Sequence, residues 1–146
     1  MLRGNQPARI DEKGRLKVPA GFRAHIEDSW GSDFYVTSIT GRSVRIYPLS
    51  VWQEIEERLS NIPALNPTKK KFLDRVNYFG QVSSMDKQGR ILIAPFLRES
   101  AQMSGEVAVL GNQNYLEVWN DEHFRTQLEA EPFTAEDEQV MSELGV

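Results

Sequence analysis

Two stretches of this chain carry the same chemistry-bearing residues at the same spacing. Asp11-Glu12-Lys13-Gly14-Arg15 is answered 75 residues later by Asp86-Lys87-Gln88-Gly89-Arg90, and Arg23 is answered by Arg98. A carboxylate four residues before an arginine is a poor acid–base pair, because guanidinium keeps its proton. It is a recognition group instead. The planar fork of Arg15 or Arg90 matches the O6/N7 edge of guanine bidentately, a contact worth about 1–3 kcal/mol of discrimination that lysine does not reproduce. Asp11 and Asp86 would repel phosphate, so their expected role is to accept turn N–H groups and hold the following arginine. The same pair can also do no more than brace its own turn. One copy leaves the two readings level, and the second copy favours a reading surface.

The neighbouring cations extend the idea. Arg3, Arg9, Lys13, Lys17 and Lys87 are phosphate candidates, which add affinity without sequence information. Strand side chains alternate, so Arg15 and Lys17 should face outward while Leu16 and Val18 face the core. In the second copy Ile91 and Ile93 repeat the inward pattern, but Leu92 occupies the position of Lys17. The first copy is therefore expected to be the stronger reader, with the outer face of the second available for subunit packing. Arg23 and Arg98 are expected on the following helices, where bracing the turn weighs at least as much as touching DNA. The Lys69-Lys70-Lys71 run reads as the wet side of an amphipathic helix.

Composition narrows the alternatives. The 146 residues are 40% hydrophobic and 26% charged and include no cysteine, which excludes disulfides, thiol catalysis and Cys-ligated zinc. His25 and His123 are solitary, and no nucleophile setting or glycine-rich phosphate loop is present, so neither an enzyme nor a cofactor is expected. The N-terminal residues contain no apolar run like that of a secretory signal, and no stretch approaches a membrane span. The net charge is −4, yet it is unevenly placed. Residues 1–25 carry six cations against Asp11 and Glu12, while residues 121–146 carry eight acids against Arg125. A polyanion at the basic end, with the acidic tail turned away, fits that asymmetry.

Each copy must build the same frame around its turn. A short strand leads in and a second leads out, over Arg15–Val18 and Arg90–Ile93. Proline then opens a helix, over 20–27 and 96–102. Strands over 34–39 and 44–47, and over 107–110 and 115–119, complete each unit. The proline falls four residues after Arg15 but five after Arg90, so the two strand-to-helix corners are expected to differ. Closing helices are expected after Ser50 and Asp121, each as N-cap, with Val51, Trp52, Ile55 and Leu59 as one apolar stripe. Asn66-Pro67 starts a linker helix that Gly80 stops. Thr134 to Asp137 is a capping box for a last helix with Val140, Met141 and Leu144 on one side.

The set Asp11-x-x-Gly14-Arg15 with Val18-Pro19, Tyr47-Pro48-Leu49, Trp52, Asp86-x-x-Gly89-Arg90 through Pro95, Leu97-Arg98, Val109-Leu110-Gly111 and Glu117-Val118-Trp119 resembles the MraZ family. The resemblance implies an α+β fold of two tandem swapped-hairpin repeats of the AbrB type, forming one barrel-like core with flanking helices. It places repeat 1 at 5–51, linker helices at 52–79, repeat 2 at 80–124 and an acidic helical tail at 125–146. It further implies a cytoplasmic, nucleoid-associated repressor of its own division and cell-wall operon. The implied partners are double-stranded DNA with short G-rich direct repeats and further copies of the chain in a ring, with no membrane or small-molecule partner. In such a family Asp11 with Arg15, and Asp86 with Arg90, are the DNA-contacting pairs, with Gly14 and Gly89 shaping their turns. An antitoxin-like grip on another protein is the alternative.

Overall fold

The computed structural model describes residues 1–146. Eight strands and six helices alternate along the chain: β1 (Leu2–Arg9), β2 (Arg15–Lys17), α1 (Ala20–Trp30), β3 (Asp33–Thr37), β4 (Val44–Pro48), α2 (Leu49–Ser60), α3 (Pro67–Tyr78), β5 (Gln81–Ser84), β6 (Arg90–Leu92), α4 (Pro95–Ser100), β7 (Glu106–Gln113), β8 (Leu116–Asn120), α5 (Asp121–Ala130) and α6 (Ala135–Glu143).

The strands form an antiparallel six-stranded sheet, ordered β1-β7-β8-β4-β3-β5, and a two-stranded ribbon, β2-β6. The ladders β1–β7, β3–β5, β4–β8 and β2–β6 all join one copy of the repeat to the other. Exchanging the copies reverses the sheet order and leaves it unchanged, so an approximate two-fold axis relates them. In the ribbon Leu16 pairs with its own counterpart Ile91, which puts that pair on the axis. A single bridge between Ile10 and Leu16 ties the ribbon to the end of β1.

Strands of three residues are too short to hold a core alone. Here the ribbon's inner residues, Leu16, Ile91 and Ile93, join Phe34, Ile46, Val109 and Leu116 in one buried cluster. Tyr47, Val51, Trp52 and Val76 form a second, smaller one beneath α2 and α3. Gly80, which follows α3, is there for a close approach: a methyl group would strike the hydroxyl of Tyr35 and the Val76 carbonyl, and Tyr35 donates to that same carbonyl at 2.8 Å.

Three local expectations need correction. Ser50 does not cap α2, whose first residue is Leu49 behind an N-cap Pro48. Asp121 does not cap α5 either; Asn120 does, accepting from the His123 N–H at 3.1 Å. The slipped proline does not make the two corners differ. The N-caps Pro19 (φ −53°, ψ 138°) and Ala94 (φ −56°, ψ 143°) hold nearly the same backbone. Proline's fixed φ suits both the cap and the first helical position, so it moves between them without bending the chain. Asn66 caps α3 as expected, and Thr134 with Asp137 forms the capping box of α6.

Candidate nucleic-acid interface

Each Asp-x-x-Gly-Arg turn is built by its aspartate. Asp11 Oδ1 accepts the N–H groups of Lys13 at 3.0 Å and Arg15 at 2.9 Å, while Oδ2 accepts Arg15 Nε at 2.8 Å. In the second copy Asp86 Oδ1 accepts Gln88 and Arg90 N–H groups, both at 2.9 Å, and Oδ2 accepts Arg90 Nε at 2.7 Å. The Asp11 carboxyl is held below its ordinary value, first by the Arg15 backbone N–H and then by the Arg15 side chain, with burial opposing. Asp86 is lowered in the same way by Arg90. Gly14 and Gly89 take φ of 82° and 78°, the left-handed conformation the turn needs.

The chemical consequence lies in which nitrogens are used. Each aspartate engages Nε only and fixes the plane of the guanidinium. The two terminal amino groups of Arg15 and of Arg90 make no hydrogen bond within the protein, and each side chain keeps 26% of its surface exposed. Those outward amino groups are the pair that a guanine edge would accept. Bracing uses different atoms of the side chain from those that reading would use, so the two readings of the Asp–Arg pair are compatible.

The ribbon brings the turns together. Lys17 stands opposite Arg90, and Arg15 stands opposite Leu92, all four on the outer face while Leu16 and Ile91 are buried beneath them. The two copies therefore offer one composite surface. Lys13 and Lys87 flank it on the exposed turns. Arg9, at the end of β1, is paired with Glu106 across the β1–β7 ladder at 3.2 Å. Arg3 lies six residues back on the same strand, beside Gly21, Phe22 and His25 of α1. Lys70 of α3 is paired with Asp74.

Each brace serves the opposite copy. Arg23 of α1 donates Nη2 to the Lys87 carbonyl of the second turn at 2.9 Å, and its Nε to Glu27 at 2.8 Å. Arg98 of α4 lies over Gly14 of the first turn, where a methyl group would strike its guanidinium, and donates Nε to the Ile93 carbonyl at 2.9 Å. Backbone bonds repeat the exchange: Val18 N–H to the Gly89 carbonyl at 2.8 Å, and Ile93 N–H to the Gly14 carbonyl at 3.0 Å. The repeat of Arg23 and Arg98 in sequence was the available signal; that each serves the other copy follows only from β2–β6 pairing.

Comparison with known proteins gives a consistent result. A family model described as "MraZ protein, putative antitoxin-like" matches residues 1–75 and 81–143. The protein named "Transcriptional regulator MraZ" from Acidobacterium capsulatum is 55% identical over 146 residues, covering all of both chains. Its namesake from Koribacter versatilis is 52% identical over 147 residues, again with full coverage of both. A third, from Psychromonas ingrahamii, is 33% identical over 88% of this chain and 85% of its own. No helix is long and apolar enough to cross a membrane.

Proposed function

The chain belongs to the MraZ family, and on that footing we propose that it is a DNA-binding transcriptional regulator that reads its target with the β2–β6 ribbon. The observation that carries this reading is the pair of matching aspartate cradles. Each fixes an arginine through Nε and leaves its terminal amino groups outward. Arg15 and Arg90 are the base-reading side chains, while Lys13, Lys17 and Lys87 contact phosphate. Arg9 contributes after parting from Glu106, and Arg3 contributes from further back on β1, beside α1.

The sheet and ribbon are two interleaved swapped-hairpin repeats sharing a barrel-like core. The target is a set of short G-rich direct repeats upstream of the protein's own operon, and binding there represses division and cell-wall genes in the cytoplasm, at the nucleoid. One ribbon with two arginines binds weakly. Several copies in a ring, each on a successive direct repeat, raise the effective concentration enough to give a tight complex. Within the ribbon the first copy contributes more, because Lys17 adds a cation where the second copy has Leu92.

The test is a gel shift on the DNA directly upstream of the protein's own gene, at two salt concentrations, with the wild type, Arg15→Ala and Arg90→Ala. The reading requires a shifted wild-type band that weakens steeply with salt and is strongly reduced in both variants. Tight binding by both variants, or no wild-type binding, removes it and favours a protein partner.

A further inference from the structure

The approximate two-fold axis relates α2 to α5, because α2 follows β4 as α5 follows β8, and each is followed by one more helix, α3 or α6. The first pair is packed. Val76 of α3 is buried with Trp52 of α2, and Phe72 and Leu73 pack beside them. The second pair is not. On α6 the apolar side made by Val140, Met141 and Leu144 is 54%, 36% and 71% exposed. Glu136, Glu138 and Glu143 give the same helix a dense negative charge.

A matching surface lies on the first pair. Ile55, Leu59 and Ile62 of α2 and its end, with Phe72 of α3, line an open groove of about 340 Å³. Arg58 and Lys69 also line it, and no acidic residue does. An apolar floor with cations and no anions fits a short amphipathic helix rich in carboxylates.

We propose that α6 of a second copy of this chain docks in the α2–α3 groove, with Val140, Met141 and Leu144 on its apolar floor and the α6 carboxylates facing Arg58 and Lys69. The chain's own tail is badly placed for this. Gln127 of α5 accepts Arg42 Nη2 at 3.0 Å, next to the start of β4, whereas α2 grows from the other end of β4, where Tyr47 stacks on Tyr115. Residues 131–134 reach no more than about 14 Å when extended. Tail and groove are different patches, so the contact is heterologous, and its repetition either closes into a ring or grows into a filament. The inference rests on the proposed self-assembly and names surfaces that build it.

The absence of native cysteine makes the test direct. A full-length Val140→Cys/Ile62→Cys variant is treated with a short bis-maleimide and run on a denaturing gel, and the wild type is weighed by light scattering. The expected result is a ladder of linked chains from the double variant, at most a linked pair from either single variant, and a wild-type mass that is a multiple of 16.7 kDa. A wild-type multiple without the ladder, or with linkage only inside one chain, overturns the docking and leaves self-assembly standing. A 16.7 kDa wild type at every concentration overturns both.

Discussion

Arg23 and Lys87 are 64 residues apart in the chain, yet the Arg23 guanidinium holds the Lys87 carbonyl at 2.9 Å. The Asp86–Arg90 turn of the second copy is therefore clamped by the helix of the first, and Arg98 lies over the first turn in return. Shape and charge of one composite surface depend on both halves at once.

Removing the clamp should cost little stability and more function. Arg23→Ala loses exposed hydrogen bonds to the Lys87 carbonyl and to Glu27, together worth about 1 kcal/mol, which lowers the melting temperature by roughly 2–4 °C at this chain length. Its DNA affinity should fall further than that, because the Asp86–Arg90 turn loses its support. Arg23→Lys should not restore it, since one ammonium cannot serve Glu27 and Lys87 with the geometry of a fork. Thermal melts and gel shifts on the three proteins check both statements.

Gly89→Ala should destabilise by about 1–2 kcal/mol from the left-handed φ alone. The added methyl also meets Arg23, whose Cδ would lie 2.9 Å away. In an Arg23→Ala background the φ cost should persist while the collision disappears. A double-mutant cycle by urea denaturation is expected to give a coupling of at least about 0.5 kcal/mol. Strict additivity would mean that the side chain yields freely.

The aspartate cradles predict a specific acid sensitivity. Folding lowers the Asp11 and Asp86 carboxyls below 3.8, chiefly through the Arg15 and Arg90 backbone N–H groups. Such groups stabilise the fold fully above the unfolded value and lose that contribution as pH falls through the folded one. Stability measured from pH 5 downward should thus decline below about pH 3.8. It should decline less steeply in Asp11→Asn/Asp86→Asn, which starts from a lower plateau.

The contribution of each copy to phosphate binding can be exchanged. Lys17→Leu should reduce the slope of log K against log salt by about 0.9, and Leu92→Lys should raise it by a similar amount. Titrations at four salt concentrations decide this. Equal slopes in all three proteins would place both positions off the DNA.

Much of the frame was legible in the sequence because repetition and period-two patterning are local signals. Leu16, Val18, Ile91 and Ile93 are all buried, as alternation requires. Asn66 and Thr134 cap their helices because side chain and backbone lie within three residues of each other. Ser50 failed for an instructive reason: Pro48 already has the backbone of an N-cap, so α2 begins before a hydroxyl is needed. The cross-copy clamp could not be read at all. Arg23 sits in the same place whether it braces its own turn or the other, and only the pairing of Leu16 with Ile91 decides between them. Likewise, nothing in the spacing of Arg3 and Arg9 reveals that one lies beside α1 and the other meets Glu106.

The ladder between β1 and β7 has a consequence for how the chain is made. Arg9 meets Glu106 across 97 residues of sequence, so the first strand leaves the ribosome long before its partner is synthesised. A nascent chain ending within the first copy has β1 and β2 without their ladder partners and β4 with β3 alone, and it should be handled by chaperones and cut by proteases as an unfolded segment. Folding must wait for the second half and should be slow for a protein of this size, because four of its six ladders join strands of different copies. A prematurely terminated product would therefore not persist as a folded half-molecule.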